Sequence, residues 1–383
     1  MLEHVNNSKK AVVNIVVLTP LGAGGKGGID RVMDYVRENY TKSSVYNINL
    51  KFITTRGKGS LARMPLYMFL TGIILIYLRL VNQVDLVHIN LSSHGSVWRK
   101  VKLAKLCSML GLPYVIHLHG SRFRQYWDNL SKKRSKQLQK MFEHSTSIYV
   151  LGRIWKVYIE GKGEKLNDKC MVLPNATPHH VQVSSKKKNG IVSILFLGLL
   201  GARKGTPELI EALSMIKPKQ EWFATIGGNG DVEGSLSIAR KFGVCDKVDF
   251  PGWVGPADVQ KLLDTSDILV LPSHDENLPM SVIEGMAAGL AVLTTPVGAT
   301  EDIILHGKTG LLVPPGDVSA LAAALSKLID SDSLRQELGQ HARIFHDNYL
   351  EIEGYCERLQ QLWMDSVNLK AIEKGMSVLN PPD

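Results

Sequence analysis

Apolar, β-branched runs recur at Val12–Leu18, Val45–Leu50, Asp85–Ile89, Pro113–Leu118 and Ser147–Leu151, and segments of helix length lie between most of them. Parallel strands need crossover connections, so this alternation predicts an α/β, doubly wound parallel sheet with helices on both faces. Gly111, just ahead of Pro113, closes the helix before the fourth strand. The pattern breaks after Pro174, and Ser184 to Gly190 is polar, charged and aperiodic, as an interdomain linker should be. It restarts near Ile191–Leu197, Trp222–Gly227, Val248–Phe250, Ile268–Leu271, Ala291–Thr294 and Leu311–Val313. At 383 residues the chain exceeds what one core usually serves. Two doubly wound domains are expected, residues 1–183 and 184–350, with a terminal helix from about residue 351 to 383 returning to the first.

Two apolar segments could be misread. Lys9 and Lys10 precede Ala11–Leu18 as in an export signal, but that run is short, β-rich and followed by a glycine loop, which favours a first buried strand. Met64–Leu78, between Arg63 and Arg79, is shorter than the roughly 20 residues that span a bilayer. A helix packed on the sheet is expected there, with a helix dipping into one leaflet as the alternative.

Charge adds an asymmetry. Residues 1–183 hold 27 Lys+Arg against 10 Asp+Glu, whereas the remainder holds 18 against 26. A basic half attracts nucleic acid, an anionic membrane face or a phosphorylated substrate. Nucleic acid is disfavoured because no recognition motif accompanies the charge. Arg122, Phe123, Arg124, Tyr126 and Trp127, followed by Lys132 and Lys133, interleave cations with aromatics, which suits an anionic lipid surface or a lipid-borne acceptor; a solvated helix face fits equally. Four cysteines without pairing or metal-ligand spacing fit a reducing compartment.

The candidate chemistry sits in three loops. Gly22 to Gly28 contains the G-x-G-x-x-G spacing, but no Asp or Glu lies between Glu38 and Asp85 to bind a ribose, and Lys26 is followed by Gly rather than Ser or Thr. What remains is a flexible loop at a helix N-terminus whose N–H groups could approach a phosphate or sugar, or a plain tight turn. Between Leu271 and Gly289, Glu276 falls in a loop after a strand and Glu284 on the helix that opens near Pro279. An ionised carboxylate accepts from two neighbouring hydroxyls at once, so this pair can hold two vicinal diols, with the helix N-terminus favouring the diphosphate between them. Arg203 and Lys204 precede a helix that Thr206 can cap and Pro207 can begin, a strong diphosphate site. His117 and His119 are expected on opposite faces of their strand, which argues against a chelate, and Asp330-Ser331-Asp332 reads as capping between two helices rather than as a metal motif.

With these residues in order, the chain resembles the family 4 glycosyltransferases, retaining enzymes of GT-B architecture, of the bacterial surface-polysaccharide type. The resemblance is diffuse in the first half and specific from Phe196 to Asp317. It rests on Glu276-x7-Glu284, the Gly198–Gly205 loop, Pro174-Asn175, Pro272-Ser273, His306 to Gly310 and Pro314 to Asp317. It implies a GT-B fold with two domains facing across a cleft. It also implies that Arg203 and Lys204 bind the donor diphosphate, that Glu276 contacts the transferred sugar, and that Glu284 contacts the ribose. Gly198, Gly228, Asn229, Trp253, Val254, Asn277, Leu278, Pro279 and Met280 would line the donor, Gly27 and Gly28 would face its diphosphate, and His119 would sit where donor meets acceptor. The pattern departs at Leu199, where the family often has Arg, and at Ala176, where it usually has Gly.

The expected activity is retaining transfer of a hexose from a UDP- or GDP-sugar to a saccharide carried on a lipid diphosphate, in O-antigen, capsule or exopolysaccharide assembly. No metal and no cofactor is expected, and the protein is expected in the cytoplasm, peripheral to the inner membrane face. Rival readings are a sugar-nucleotide epimerase of the same fold and a non-catalytic, nucleotide-sugar-binding assembly partner.

Overall fold

The computed structural model describes residues 12–25, 27–40, 46–181 and 190–373. Lys26, the linker residues 184–189 and the last part of the expected 351–383 helix lie outside them. The chain divides into two compact units: Met1–Val150 with Tyr158–Leu173 and Cys356–Asp383, and Leu151–Val157 with Pro174–Tyr355. The second unit takes Leu151–Val157 and resumes at Pro174, where the sequence pattern breaks; the short strand Cys170–Val172, which completes the first sheet, was not expected.

In the first half of the chain the order is β1 (Val13–Thr19), α1 (Gly28–Asn39), β2 (Ile48–Thr54), α2 (Met64–Leu80), β3 (Leu86–Leu91), α3 (Gly95–Met109), β4 (Tyr114–Leu118), α4 (Phe123–Asp128), α5 (Lys132–Glu143), β5 (Ser147–Val150), α6 (Arg153–Glu160) and β6 (Cys170–Val172). The six strands are parallel in the order β2-β1-β3-β4-β5-β6. The sequence reversal falls between β1 and β3, and open α/β sheets bind ligands beyond the strand carboxyl ends at such a point. Strands β3, β4 and β5 are buried throughout, as expected of strands covered on both faces. The edge strand β2 runs later than expected, to Thr54, since an exposed edge requires less apolar sequence than a central strand.

The second half restarts with β7 (Ile191–Leu197), α7 (Thr206–Met215), β8 (Glu221–Gly227), α8 (Val232–Lys241), β9 (Val248–Asp249), α9 (Pro256–Thr265), β10 (Ile268–Leu271), α10 (Met280–Ala287), β11 (Ala291–Thr294), β12 (Leu311–Leu312), α11 (Val318–Asp330), α12 (Asp332–Tyr349) and α13 (Ile352–Glu373). Its six parallel strands lie in the order β12-β11-β10-β7-β8-β9, the 3-2-1-4-5-6 winding of dinucleotide-binding sheets. The reversal here falls between β7 and β10. Ser331 caps α12 by accepting from the Leu334 amide, Asp330 accepts from the Lys219 amide of a distant loop, and Asp332 accepts from the Arg335 and Gln336 side chains one turn on, so each member of the Asp-Ser-Asp run has a structural partner. From Cys356 onward α13 belongs to the first unit, where Trp363 donates to His88 Nδ1 at 2.9 Å and Tyr149 donates to the Leu362 carbonyl at 3.0 Å.

That contact closes a buried polar stack. His88 and His117 lie 5.3 Å apart, and His117 and His119 lie 4.0 Å apart, between ring centroids. The expectation that His117 and His119 face apart is overturned, because residues two apart on a strand share a face. Burial pushes His88 and His119 down to about 3 and His117 well below its ordinary value, reinforced by Lys100 at His88 and by the neighbouring imidazoles at His117 and His119. All three are neutral at neutral pH.

A histidine depressed below its unfolded value of 6.5 stabilises the fold fully above pH 6.5 and loses that stabilisation as pH falls toward 3. The thermal midpoint should therefore fall through this window, each histidine adding up to about 1.4 kcal/mol per pH unit. His88→Gln, which keeps an acceptor for Trp363, should flatten the slope; a midpoint indifferent to pH would show that the stack carries no such linkage. Gly205, which caps α7 at φ +69, would place a Cβ 2.0 Å from the Pro272 carbonyl oxygen. Gly205→Ala should cost about 1–3 kcal/mol from the left-handed conformation, with the clash added, read as a lower urea midpoint.

Candidate functional site

In the second unit the loops after β7 and β10 meet at the reversal point, and the glycine-rich turn explains how. Gly201 and Gly205 bracket a single 3-10 turn, Ala202–Lys204, which throws Arg203 and Lys204 toward the neighbouring loop. Gly205, not Thr206, is the N-cap of α7; Thr206 instead accepts from the Gly201 amide at 3.1 Å and closes the turn. The second loop is fixed by Thr295, which donates to the Ser273 carbonyl at 2.6 Å, and by the His274 amide, which donates to the Arg203 carbonyl at 2.9 Å.

The side chains converge on one carboxylate. Lys204 Nζ pairs with Glu276 Oε1, Arg203 Nη1 stands 3.6 Å from the same oxygen, and Ser273 Oγ donates to it at 3.1 Å. Arg203 Nη1 also donates to the Asp275 carbonyl at 2.9 Å. Glu276 is 9% exposed, so its charge requires partners, and it has two cations and a hydroxyl. The pair of cations leaves the cluster with a net positive charge.

Around this cluster the other predicted residues take distinct places. Asn277, Leu278 and Pro279 are buried, and Pro279 is the N-cap of α10, so the helix begins at Met280. Glu284 is buried on that helix. The Leu278 carbonyl accepts from Asn175 Nδ2 at 3.0 Å, and the Asn277 carbonyl accepts from the Ala299 amide at 2.7 Å. At the neighbouring strand ends, Gly198 N donates to the Gly227 carbonyl at 3.0 Å, Gly228 N to Gly252 at 2.7 Å, and Leu200 N to Asn229 at 2.6 Å. Val254 packs against Gly227, while Trp253 is 51% exposed. Leu199, at the place of the missing arginine, is also exposed.

Sequence reasoning gave no role to Ser273, to the Asp275 carbonyl or to Gly298. A Cβ on Gly298 would come within 2.2 Å of the Glu276 carbonyl and 2.3 Å of the Asn277 carbonyl. The only signal was the Pro296-Val297-Gly298 turn after β11.

In the first unit, Gly27 caps α1 and Gly28 opens it. The preceding loop does not offer its amides freely. Leu21 and Gly22 donate to Asp30, Gly24 donates to Asp34, and Gly25 donates to the Gly22 carbonyl. His119 lies just past β4, its Nε2 2.8 Å from Asn90 Oδ1. Asn90 Nδ2 donates to the Leu18 carbonyl, so Oδ1 is the acceptor and His119 carries its proton on Nε2, leaving the Nδ1 lone pair.

The aromatic-cationic segment is corrected. Arg122, Arg124, Lys132 and Lys133 are exposed, but Trp127 is 2% exposed and Phe123 is fully buried; both pack on Phe142, and Trp127 donates to Ser135. A six-residue helix places Phe123 and Trp127 one turn apart on the inner face, so the interleaving seen in sequence separates in space. Met64–Leu80 is the expected helix, and only one narrow face of it is covered. Thr71, Leu75 and Leu78 are buried, whereas Leu66, Phe69, Leu70, Ile73, Ile76, Tyr77 and Leu80 form an exposed row.

Residues 180–345 match the family of glycosyl transferases group 1. The chain is 31% identical over 160 residues to the glycogen synthase of Mycobacterium tuberculosis, covering 41% of this chain and 39% of that protein. It is 27% identical over 252 residues to the amylovoran biosynthesis glycosyltransferase AmsK of Erwinia amylovora, covering 60% and 61%. The matched region thus spans less than two thirds of these relatives. The fold is similar to that of Anabaena Alr3699/HepE, solved in complex with UDP and glucose, with a TM-score of 0.73 at 15% identity over 92% of this chain and all of that one. The two parallel six-stranded sheets with helices match GT-B glycosyltransferases in fold, and the region that matches the glycosyl transferases group 1 family, residues 180–345, falls in the second unit.

Proposed function

We propose that this chain is a glycosyltransferase that moves a hexose from a nucleoside-diphosphate sugar to a saccharide acceptor in bacterial polysaccharide assembly. The observation that carries the reading is the convergence of Arg203, Lys204 and Glu276 at the reversal point of the second sheet. The AmsK relative is named for amylovoran biosynthesis, and the similar Anabaena protein has also been solved with UDP-glucose, which supports a UDP-sugar as the first donor to test.

On this reading, transfer retains anomeric configuration. The acceptor hydroxyl attacks from the face the diphosphate leaves, and a phosphate oxygen takes its proton. The charge that develops on the leaving diphosphate meets Lys204 and Arg203, already oriented by Glu276 and the Asp275 carbonyl, so little reorganisation is needed. Glu276 then accepts from sugar hydroxyls and Glu284 from the ribose, and His119 of the first unit contributes its Nδ1 lone pair as an acceptor. Paired cations do the work a divalent metal does elsewhere, so no metal or cofactor is required. The acceptor is carried on a lipid diphosphate at the cytoplasmic face of the membrane; support comes from the basic first half and from the exposed row on α2, not from Trp127.

Lys204→Ala should lower kcat about a hundredfold or more with the circular dichroism spectrum unchanged, and Lys204→Arg should recover part of it; near-normal kcat in the alanine variant removes Lys204 from the mechanism. UDP-sugars should raise the thermal midpoint above what GDP- and ADP-sugars achieve, since a ligand specific to the folded state stabilises it. An NMR spectrum of the first-formed product should show the donor's anomeric configuration, and turnover should persist in chelator; an inverted product or a chelator-dead enzyme would overturn those parts of the reading.

A further inference from the structure

The first unit holds a cation cluster that the transfer site does not use, at the reversal point of its own sheet. Lys100 on α3 is 1% exposed and donates to Thr55 Oγ1 at 2.8 Å; Thr55 in turn donates to the Thr19 carbonyl. Arg56 follows on the same turn, its amide bonded to the Pro20 carbonyl, and its guanidinium is close enough to that of Arg99 to repel it. Lys58 Nζ lies against Gly24, 3.6 Å from where a Cβ would stand. Asp30 offsets part of this charge from below, with its carboxylate already accepting from Leu21 and Gly22, while Asp34 is paired with Arg37. Among the described residues no carboxylate lies within ion-pair distance of Arg56 or Arg99, and the Nε of each is buried without a hydrogen-bond acceptor. Half-buried guanidinium groups that repel one another and leave a buried Nε–H without an acceptor are costly unless an anion completes them.

The cluster adjoins the exposed apolar helix. Arg99 Nη1 is 3.1 Å from Met64 Sδ at the start of α2, and the Tyr67 ring covers Gly57. From there Leu66, Phe69, Leu70, Ile73, Ile76, Tyr77 and Leu80 run at three- and four-residue spacing over about 20 Å of helix, flanked by Arg63 and Arg79. None of the described helices is long and apolar enough to cross a membrane, so such a face is suited to lying in one leaflet. Cationic centre and apolar row are contiguous.

We propose that this is the site of an amphiphilic diphosphate: Arg56, Lys58 and Arg99 take the diphosphate, Lys100 sets the charge beneath it, and the α2 row lies in the leaflet that holds the lipid tail. The assignment rests on the reading of the acceptor as lipid-borne and gives that acceptor its contact residues. A diphosphate fits better than a phosphodiester because its extra charge and oxygens can engage both guanidinium forks.

The test is flotation of the full chain with phosphatidylcholine vesicles, alone or carrying a minor fraction of polyprenyl diphosphate or of phosphatidylglycerol, with UDP-sugar thermal stabilisation measured in parallel. Polyprenyl diphosphate vesicles should bind the chain at least tenfold more tightly than phosphatidylglycerol vesicles of equal charge, and inorganic pyrophosphate should compete. Arg56→Gln with Lys58→Gln, both on an outer turn, should abolish that preference. Phe69→Ser with Ile73→Ser should release the chain from all vesicles yet leave pyrophosphate binding by calorimetry unchanged. Equal binding to the two anionic vesicles, or an Arg56→Gln, Lys58→Gln variant that keeps the preference, overturns the site. Loss of UDP-sugar stabilisation with the lipid preference intact counts against the transferase reading and not against this one.

Discussion

The buried carboxylate of Glu276 sets the terms for the second unit. A charge so little exposed persists only when partners surround it, and here they come from two loops that are distant in sequence and adjacent only because β7 and β10 are neighbours in the sheet. Lys204 and Arg203 reach it from one loop, and Ser273 braces it from within its own. Gly205 must be glycine because the Pro272 carbonyl occupies the space a side chain would need, and Gly298 because the Glu276 and Asn277 carbonyls do. Fold and site are therefore one constraint: the strand order brings the loops together, and the ion pair penalises any backbone arrangement that separates them.

The first unit solves its buried polarity in two ways. Its histidine stack avoids charge, since burial keeps His88, His117 and His119 neutral while Trp363 and Asn90 satisfy individual nitrogens. Around Lys100 charge is reduced rather than abolished: burial together with Arg99 pushes the amine down to about 7, while Arg56, Lys58 and Arg99 stay charged nearby. Neutral groups pack where the sheet meets α13, and cations gather at the open ends of β1 and β2, where an anion could reach them. That division matches the doubly wound architecture, which buries strand middles and exposes strand ends.

Much of this was legible in sequence because strand middles, buried on both faces, leave continuous apolar runs. The five second-half strands from β7 to β11 lie within one residue of their expected ends, and β12 within one as well, whereas β6, three residues of an edge strand, left no run to read. Arg203, Lys204 and Glu276 were identifiable from residue type and spacing, but Ser273 was not, since its part depends on a turn that positions a hydroxyl under a carboxylate three residues on. Facing was the weakest reading. Composition suggested that Trp127 and its basic neighbours share a surface, whereas Trp127 is buried against Phe142; for α2 it left two settings open, and the helix exposes a full apolar row. A period fixes which residues share a face and leaves open which face the sheet will cover.

The Glu276 pairing also constrains how a diphosphate could bind. Lys204 is engaged with the carboxylate already, so an incoming anion does not add a contact to a free cation; it competes with Glu276 for an engaged one. Competition of this kind costs affinity relative to a vacant lysine and gains orientation, because the amine is held at one position beforehand. Arg203 is the better placed to change partners, since its side chain is about one-third exposed and its guanidinium is tethered to the Asp275 carbonyl through one nitrogen, leaving other donors of the fork available. On the proposed reading, Arg203 meets the diphosphate first and Lys204 transfers to it as Glu276 turns to the sugar hydroxyls, with Ser273 holding the carboxylate through the exchange. Two cations set against one carboxylate are what make that exchange favourable for an anion and unfavourable for a neutral sugar alone.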